Sequence, residues 1–191
     1  SANASRYCGG DVFFADIDSE TINMSPAALR EVLLKNSNVK AIIPVHFAGL
    51  PCDMMAIKNL ADDAGAIVIE DAAHALGAIY SNGKRVGSCE NSLMTVFSFH
   101  PVKRIATGEG GMICTSNPEW ASRLRRLREH GMSLSAAERH AQGGVVIENY
   151  SETGYNYRLT DLQAGLGLAQ LEKLDEMVEV RRKQAGLYRE S

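Results

Sequence analysis

The sequence predicts an α/β fold on a mostly parallel sheet, and two observations carry that expectation. Short apolar runs alternate with helical patterns in the order strand, helix, strand, helix, strand as far as Asp71, which is the signature of crossover connections. The run Ala66 to Asp71 (AIVIED) places its apolar residues in succession without polar alternation, as expected of a strand covered on both faces.

Val12 to Ile17 (VFFADI) reads as the first strand, and DSETINMSP as a turn into a helix over Ala27 to Leu34, with Pro26 in its first turn where a missing N–H costs nothing. Lys40 to Phe47 (KAIIPVHF) is a near-continuous apolar strand, succeeded by the loop GLPCD and a helix from Met54 to Ala64. After Asp71, the Asn82-Gly83 pair in YSNGKRVGS marks a hairpin turn. Met94 to Phe99 and Gly111 to Thr115 are further strands, separated by the loop HPVKRIATGEG. Trp120, Leu124 and Leu127 recur at helical spacing, so Pro118 to about His130 is an amphipathic helix. Residues Gly131 to Tyr155, with Gly143 and Gly144, have weak periodicity and form a loop long enough to expect a function.

Thr160 opens the last helical region with Gln163 three residues on, a capping box. Gly165 and Gly167 weaken this helix but let another backbone approach. The chain opens at Ser1 without an initiator methionine and stops at Ser191 without a capping signal, so both ends read as cut.

Composition excludes several classes. With 45% hydrophobic and 23% charged residues in 191, the chain can bury a real core as one globular domain. A net charge of -3 supplies no field for nucleic acid or an anionic membrane. The basic group Arg123, Arg125, Arg126 and Arg128 lies in a helical pattern and is expected to be a solvated face. No window approaches the roughly 18 apolar residues of a membrane span, and no leader pattern opens the chain, so a cytoplasmic protein is expected. Cys8, Cys52, Cys89 and Cys114 are widely spaced and are expected to be reduced, mostly buried thiols; no metal site is expected.

Two positions stand out for chemistry. Asp71 ends a buried strand, and ligands of open parallel sheets bind at the carboxyl ends of strands. Taken alone it is an N-cap for the segment after it, and His74 a structural histidine. Lys103 comes after another apolar strand, in a loop rich in Pro101, Gly108, Gly110 and Gly111. A lysine beside a desolvated pocket loses its proton readily enough to condense with a carbonyl. Ser98, on the same strand end, can offer a hydroxyl to a phosphate. GEGG lacks the Gly-Lys-Ser/Thr ending of a P-loop, and VFFADIDSE lacks the Gly-x-Gly-x-x-Gly of a dinucleotide site.

IEDAAHALGA with VGS, TVFSFHPVKRIATGEGGMICT and GYNYRLTDLQAGLGLAQLEKLD together resemble the DegT/DnrJ-type aminotransferases, fold-type-I pyridoxal-phosphate enzymes of nucleotide-linked sugars. VFFADID, IIPVHFAG and PCDM extend the resemblance along the chain in family order. The resemblance implies that residues 1–191 are part of the large cofactor-binding domain, with helices from residue 160 leading toward a smaller carboxy-terminal domain.

It also implies a role for each matching residue. Asp71 would bond the protonated pyridine nitrogen. His74, where many relatives carry glutamine, would contact the ring or its 3-hydroxyl, and Ser98 the cofactor phosphate. Lys103 would carry the cofactor covalently and then act as the general base. Asn156, in GYNYR, would reach across a dimer interface to the neighbour's phosphate. The substrates implied are a nucleotide-linked keto-sugar and an amino-acid donor, commonly glutamate, in a homodimer or higher homo-oligomer. The FSFHPVK form with an intact GEGG is most similar to the subgroup making 4-amino-4,6-dideoxy sugars for bacterial surface glycans. Dehydratases of this group typically carry histidine at the lysine position, so Lys103 favours transamination.

Arg104 and Ala106 depart from the small polar residues that commonly come after the lysine. The family's Gly-Thr-Ala phosphate cradle is expected upstream of Ser1. The alternative expectation is therefore a truncated fragment that folds and oligomerises, binds pyridoxal phosphate weakly or not at all, and does not catalyse.

Overall fold

A computed structural model describes residues 1–133 and 149–190. At its centre lies a sheet in the order β1-β2-β3-β4, comprising β1 (Ala41–Ile42), β2 (Ile67–Asp71), β3 (Met94–Ser98) and β4 (Gly111–Cys114). The first three are parallel and β4 is antiparallel to β3, so the α/β fold and the mostly parallel sheet are borne out. Around it stand α1 (Ala2–Tyr7), α2 (Pro26–Lys35), α3 (Met54–Asp63), α4 (Pro118–Leu127), α5 (Asp161–Leu171) and α6 (Leu174–Glu190).

Four of the helices, α2 to α5, begin where polar side chains satisfy orphan amides. Ser25 accepts from the Ala28 amide with Pro26 at the first helical position, and Asp53 accepts from Ala56. Asn117 accepts from Glu119 and Trp120, and Thr160 with Gln163 forms the expected capping box. Helix α3 buries Met54, Ile57, Leu60 and Ala61, one stripe at helical spacing, against Leu29, Ile42 and Val68. A second core of Ala72, Ala75, Ala78, Val86 and Phe97 lies beyond the end of β2, where small residues let the turns after Asp71 pack closely on β3. The Asn82-Gly83 turn is present: Ile79 and Arg85 bridge antiparallel, with Gly83 at φ 82°.

Several expected elements differ. Residues 12–17 form no strand; only Ile17 finds a partner, Met24, because no described strand lies alongside to complete a ladder, and Phe13 and Phe14 stay exposed. The strand expected over Lys40 to Phe47 is regular only at Ala41–Ile42, since Pro44 has no N–H for the ladder; pairing resumes as a single bridge between Val45 and Asp71. Strand β2 is covered on one face: Val68 and Glu70 are buried, whereas Ile67 is 40% exposed. Only α3 joins two described parallel strands, and the connection from β2 to β3 runs through turns without a helix. Helix α4 stops at Leu127 rather than His130, which adopts φ 61°. The last helical region is two helices, broken between Leu171 and Leu174. The short α1 has no counterpart among the expected elements. Gly143 and Gly144 lie outside the described residues.

Candidate active site

The carboxyl ends of β2 and β3 hold the residues of interest. Asp71 is the last residue of β2, in register with Val96, and Ser98 is the last residue of β3. The chain then turns at Lys103, whose amide donates to the His100 carbonyl, and returns when the Thr107 amide donates to Phe99. An open cavity of about 290 Å³ lies against these ends. His74, Ser98 and Lys103 line it together, with Arg104 and Arg181 at their side.

Asp71 stands beside this cavity but does not line it. One carboxylate oxygen accepts from the Ala73 amide (3.1 Å) and the other from the Ser1 hydroxyl (2.5 Å). Its backbone is clamped to the segment after β1, the amide donating to the Pro44 carbonyl and the carbonyl accepting from the His46 amide. Asn156 is elsewhere: it bridges to Glu129 through the backbone and is exposed.

The preceding residue, Glu70, is the most committed polar group among those described, and the sequence suggests no role for it. It is 1% exposed and accepts from His46 Nε2 (2.7 Å), Ser92 Oγ (2.5 Å), Thr95 Oγ1 (2.8 Å) and the Tyr80 hydroxyl. The Cys52 amide donates to His46 Nδ1, so Nε2 carries the hydrogen given to Glu70. Burial by itself would raise the Glu70 pKa, but the bonds from His46, Ser92, Tyr80 and Thr95 outweigh it and hold the carboxyl below its ordinary range. Burial and the Glu70 charge push Tyr80 up, and burial drives Cys52 up to about 12, which makes it an inert thiol. The one available signal was a charge at the end of an otherwise apolar run.

Helix α5 is pinned to the loop after Lys103. Gln170 takes the Ala106 amide and donates to the Ala106 carbonyl (3.2 and 2.6 Å), and Gln163 Nε2 donates to the Glu109 carbonyl. A Cβ on Gly167 would lie 3.1 Å from the Thr107 side-chain methyl, so a side chain and not the expected backbone comes close there, whereas Gly165 faces open space. The arginine group of α4 is not simply solvated: Arg123 and Arg126 both pair with Glu152, and Arg123 stacks over Trp120 at 5.6 Å. Among the described cysteines all are free, with Cys52 and Cys89 buried and Cys8 exposed.

Gly49 comes directly after Ala48, which lines the cavity. Its φ is 90°, and a Cβ there would meet the His74 carbonyl at 2.8 Å and the Arg104 guanidinium at 2.9 Å. Gly49→Ala is expected to cost about 1–3 kcal/mol through backbone strain. Urea unfolding measures it, and an unchanged midpoint would show that the turn relaxes freely.

An amine, a hydroxyl and guanidinium groups surround a cavity at parallel strand ends, with a carboxylate beside it, which is where open α/β sheets bind ligands. The chain belongs to the DegT/DnrJ/EryC1/StrS aminotransferase family, whose family description matches residues 1–191; this is a family of pyridoxal-phosphate-dependent enzymes. It is 42% identical over 188 residues to the spore coat polysaccharide biosynthesis protein SpsC of Bacillus subtilis, covering 98% of this chain and 47% of that protein. It superposes on Helicobacter pylori PseC, an aminotransferase of pseudoaminic acid biosynthesis, with a TM-score of 0.80 at 32% identity, over 91% of this chain and 43% of PseC. The PLP form of a Streptococcus pneumoniae protein described as a sugar aminotransferase superposes with a TM-score of 0.86 at 26% identity, over 100% and 50% of the two chains. The chain thus spans about half the length of the relatives it matches.

The residues fit pyridoxal phosphate in kind: Lys103 offers an amine, Ser98 a hydroxyl for a phosphate, and Asp71 an anion for a protonated ring nitrogen. No helix among the described residues is long and apolar enough to cross a membrane, and they contain no cluster of ligands fit for a metal.

Proposed function

We propose that this chain is the cofactor-binding core of a cytoplasmic enzyme that moves an amino group from glutamate to a nucleotide-linked keto-sugar, in the making of a surface polysaccharide. The observation that carries this reading is the convergence of His74, Ser98 and Lys103 on one cavity, with Asp71 ending the adjacent strand. When bound, pyridoxal phosphate supplies an electron sink for the substrate carbon. Lys103 would hold it covalently and, once released, move the proton at that carbon. Asp71 would keep the ring nitrogen protonated, Ser98 would bind the phosphate, and His74 would orient the ring. The backbone clamp from Pro44 and His46 fixes the Asp71 backbone beneath that carboxylate.

Asn156, exposed and away from the cavity of its own chain, would serve a neighbouring subunit of a homodimer or larger homo-oligomer. The FSFHPVK and GEGG forms favour a 4-amino-4,6-dideoxy sugar as product. The likeness to a spore coat polysaccharide protein supports the pathway class. A second reading, assembly of this chain without turnover, is favoured by apolar side chains left in solvent, among them Phe14 (81% exposed) and Leu162 (89%).

Borohydride reduction of the protein incubated with pyridoxal phosphate tests the assignment. Peptide mapping is expected to place the reduced adduct on Lys103. An adduct spread over surface lysines, or none, would remove the basis for the reading.

A further inference from the structure

Within the proposed transaminase, we propose that Arg104 and Arg181 form the binding subsite for a carboxylate of the amino-acid donor. Lys103, Arg104 and Arg181 all line the cavity, and among the described residues none of the three has an ion pair. Positive charge concentrated in a concavity without a counter-ion is a site for an anion.

The fold delivers both guanidinium groups there. Arg104 donates from Nη1 to the Leu76 carbonyl at 2.8 Å, which fixes its plane and leaves its other donors free. Burial, with the charges of Arg181 and Arg182, depresses its pKa. Arg181 comes from α6, on the same helical face as Leu174 and Val178 at spacings of four and three. That face lies on Gly77, where a Cβ would meet Val178 at 2.9 Å and Leu174 at 3.3 Å. The fork of Arg85 on Asp175, at 2.7 and 2.9 Å, holds the same helix from the hairpin. Arg181 is thus placed by packing and pairing two turns earlier in α6.

The choice of carboxylate rests on chemistry. In an amino-acid donor a carboxylate is bonded directly to the carbon that gives up its amine, so an anion must arrive next to Lys103. The diphosphate of a nucleotide-linked sugar is separated from the reacting carbon by the sugar ring. A paired set of guanidinium forks matches the planar carboxylate.

The test is calorimetric titration with glutarate, a dicarboxylate that has no amine to transfer, against the full-length protein with and without bound pyridoxal phosphate. Arg181→Ala is expected to weaken glutarate binding roughly 10- to 100-fold, the loss of one charge-assisted contact, and Arg104→Gln to do the same. Arg181 is exposed, so its removal leaves the core intact, and Arg182→Ala, which removes the same charge outside the cavity lining, is the control expected to weaken binding far less. In the loaded enzyme the glutamate requirement should rise in parallel, while the keto-sugar requirement stays fixed. Unchanged glutarate affinity in Arg181→Ala, or inorganic phosphate or a nucleoside diphosphate losing affinity in its place, overturns the proposal. Because glutarate is also titrated into cofactor-free protein, the subsite is tested even if no adduct forms on Lys103, an outcome that counts against the transaminase reading alone.

Discussion

Lys103→Ala is expected to slow the glutamate half-reaction by at least about 10²- to 10⁴-fold, the range a positioned general base supplies, and to remove the yellow absorbance of the lysine-bound cofactor. The lysine enters the cavity from a turn fixed at both ends, the Lys103 amide on His100 and the Thr107 amide on Phe99. The amine has no ion pair among the described residues that would hold it away from a ligand. His74 is the other proton carrier on the cavity wall, but it is exposed. Single-turnover absorbance in the variant measures the loss. A rate within a few-fold of the parent would transfer the base role away from Lys103. Lys103→Arg separates charge from chemistry: it keeps a cation in the cavity, and it is expected to be as slow as alanine.

Glu70→Ala is expected to destabilise the fold by about 3–5 kcal/mol, as when one partner of a buried pair is removed. The carboxylate gathers donors from His46, Tyr80, Ser92 and Thr95, and so ties the loop after β1, the hairpin and the start of β3 to β2. Its removal strands those donors where water cannot replace it. Glu70→Gln keeps the volume and one acceptor and is expected to lose less. The pH dependence has a definite sign. The folded-state pKa lies below the ordinary 4.5, so the stabilisation is complete above that value and disappears as pH falls through the folded-state pKa. Urea midpoints for parent and Glu70→Gln should therefore converge as pH falls through the folded-state pKa, which lies below 4.5. A constant gap between them down to acid unfolding would show that the carboxylate charge contributes nothing.

The sequence made the sheet, most helix starts and the cavity residues legible because each rests on local chemistry. Ser25, Asp53, Asn117 and Thr160 each cap the helix that begins at the next residue, and Ser98 and Lys103 sit within one strand and its loop. Features that the sequence did not disclose depend on partners distant in the chain. Residues 12–17 have the apolar pattern of a strand but no neighbour to pair with among the described residues. Arg181 lies far beyond Lys103 in sequence and reaches the cavity only because α6 packs on Gly77. Glu70 has the sequence context of a strand ending in acid, and its four donors come from three separate segments. The pairing of Arg123 and Arg126 with Glu152 likewise needs the chain to return across α4.

The grip of Gln170 on Ala106 gives the protein a built-in clock. The Ala106 amide donates to a side-chain oxygen, not to a backbone carbonyl of a helix or strand, so its deuterium uptake is gated by the departure of α5 rather than by unravelling of the sheet. The Thr107 amide, bonded to Phe99 in the same loop, opens with the turn itself. Two adjacent amides thereby time two different openings, and the ratio of their uptake rates reads how often the long helices lift away while the lysine turn stays closed.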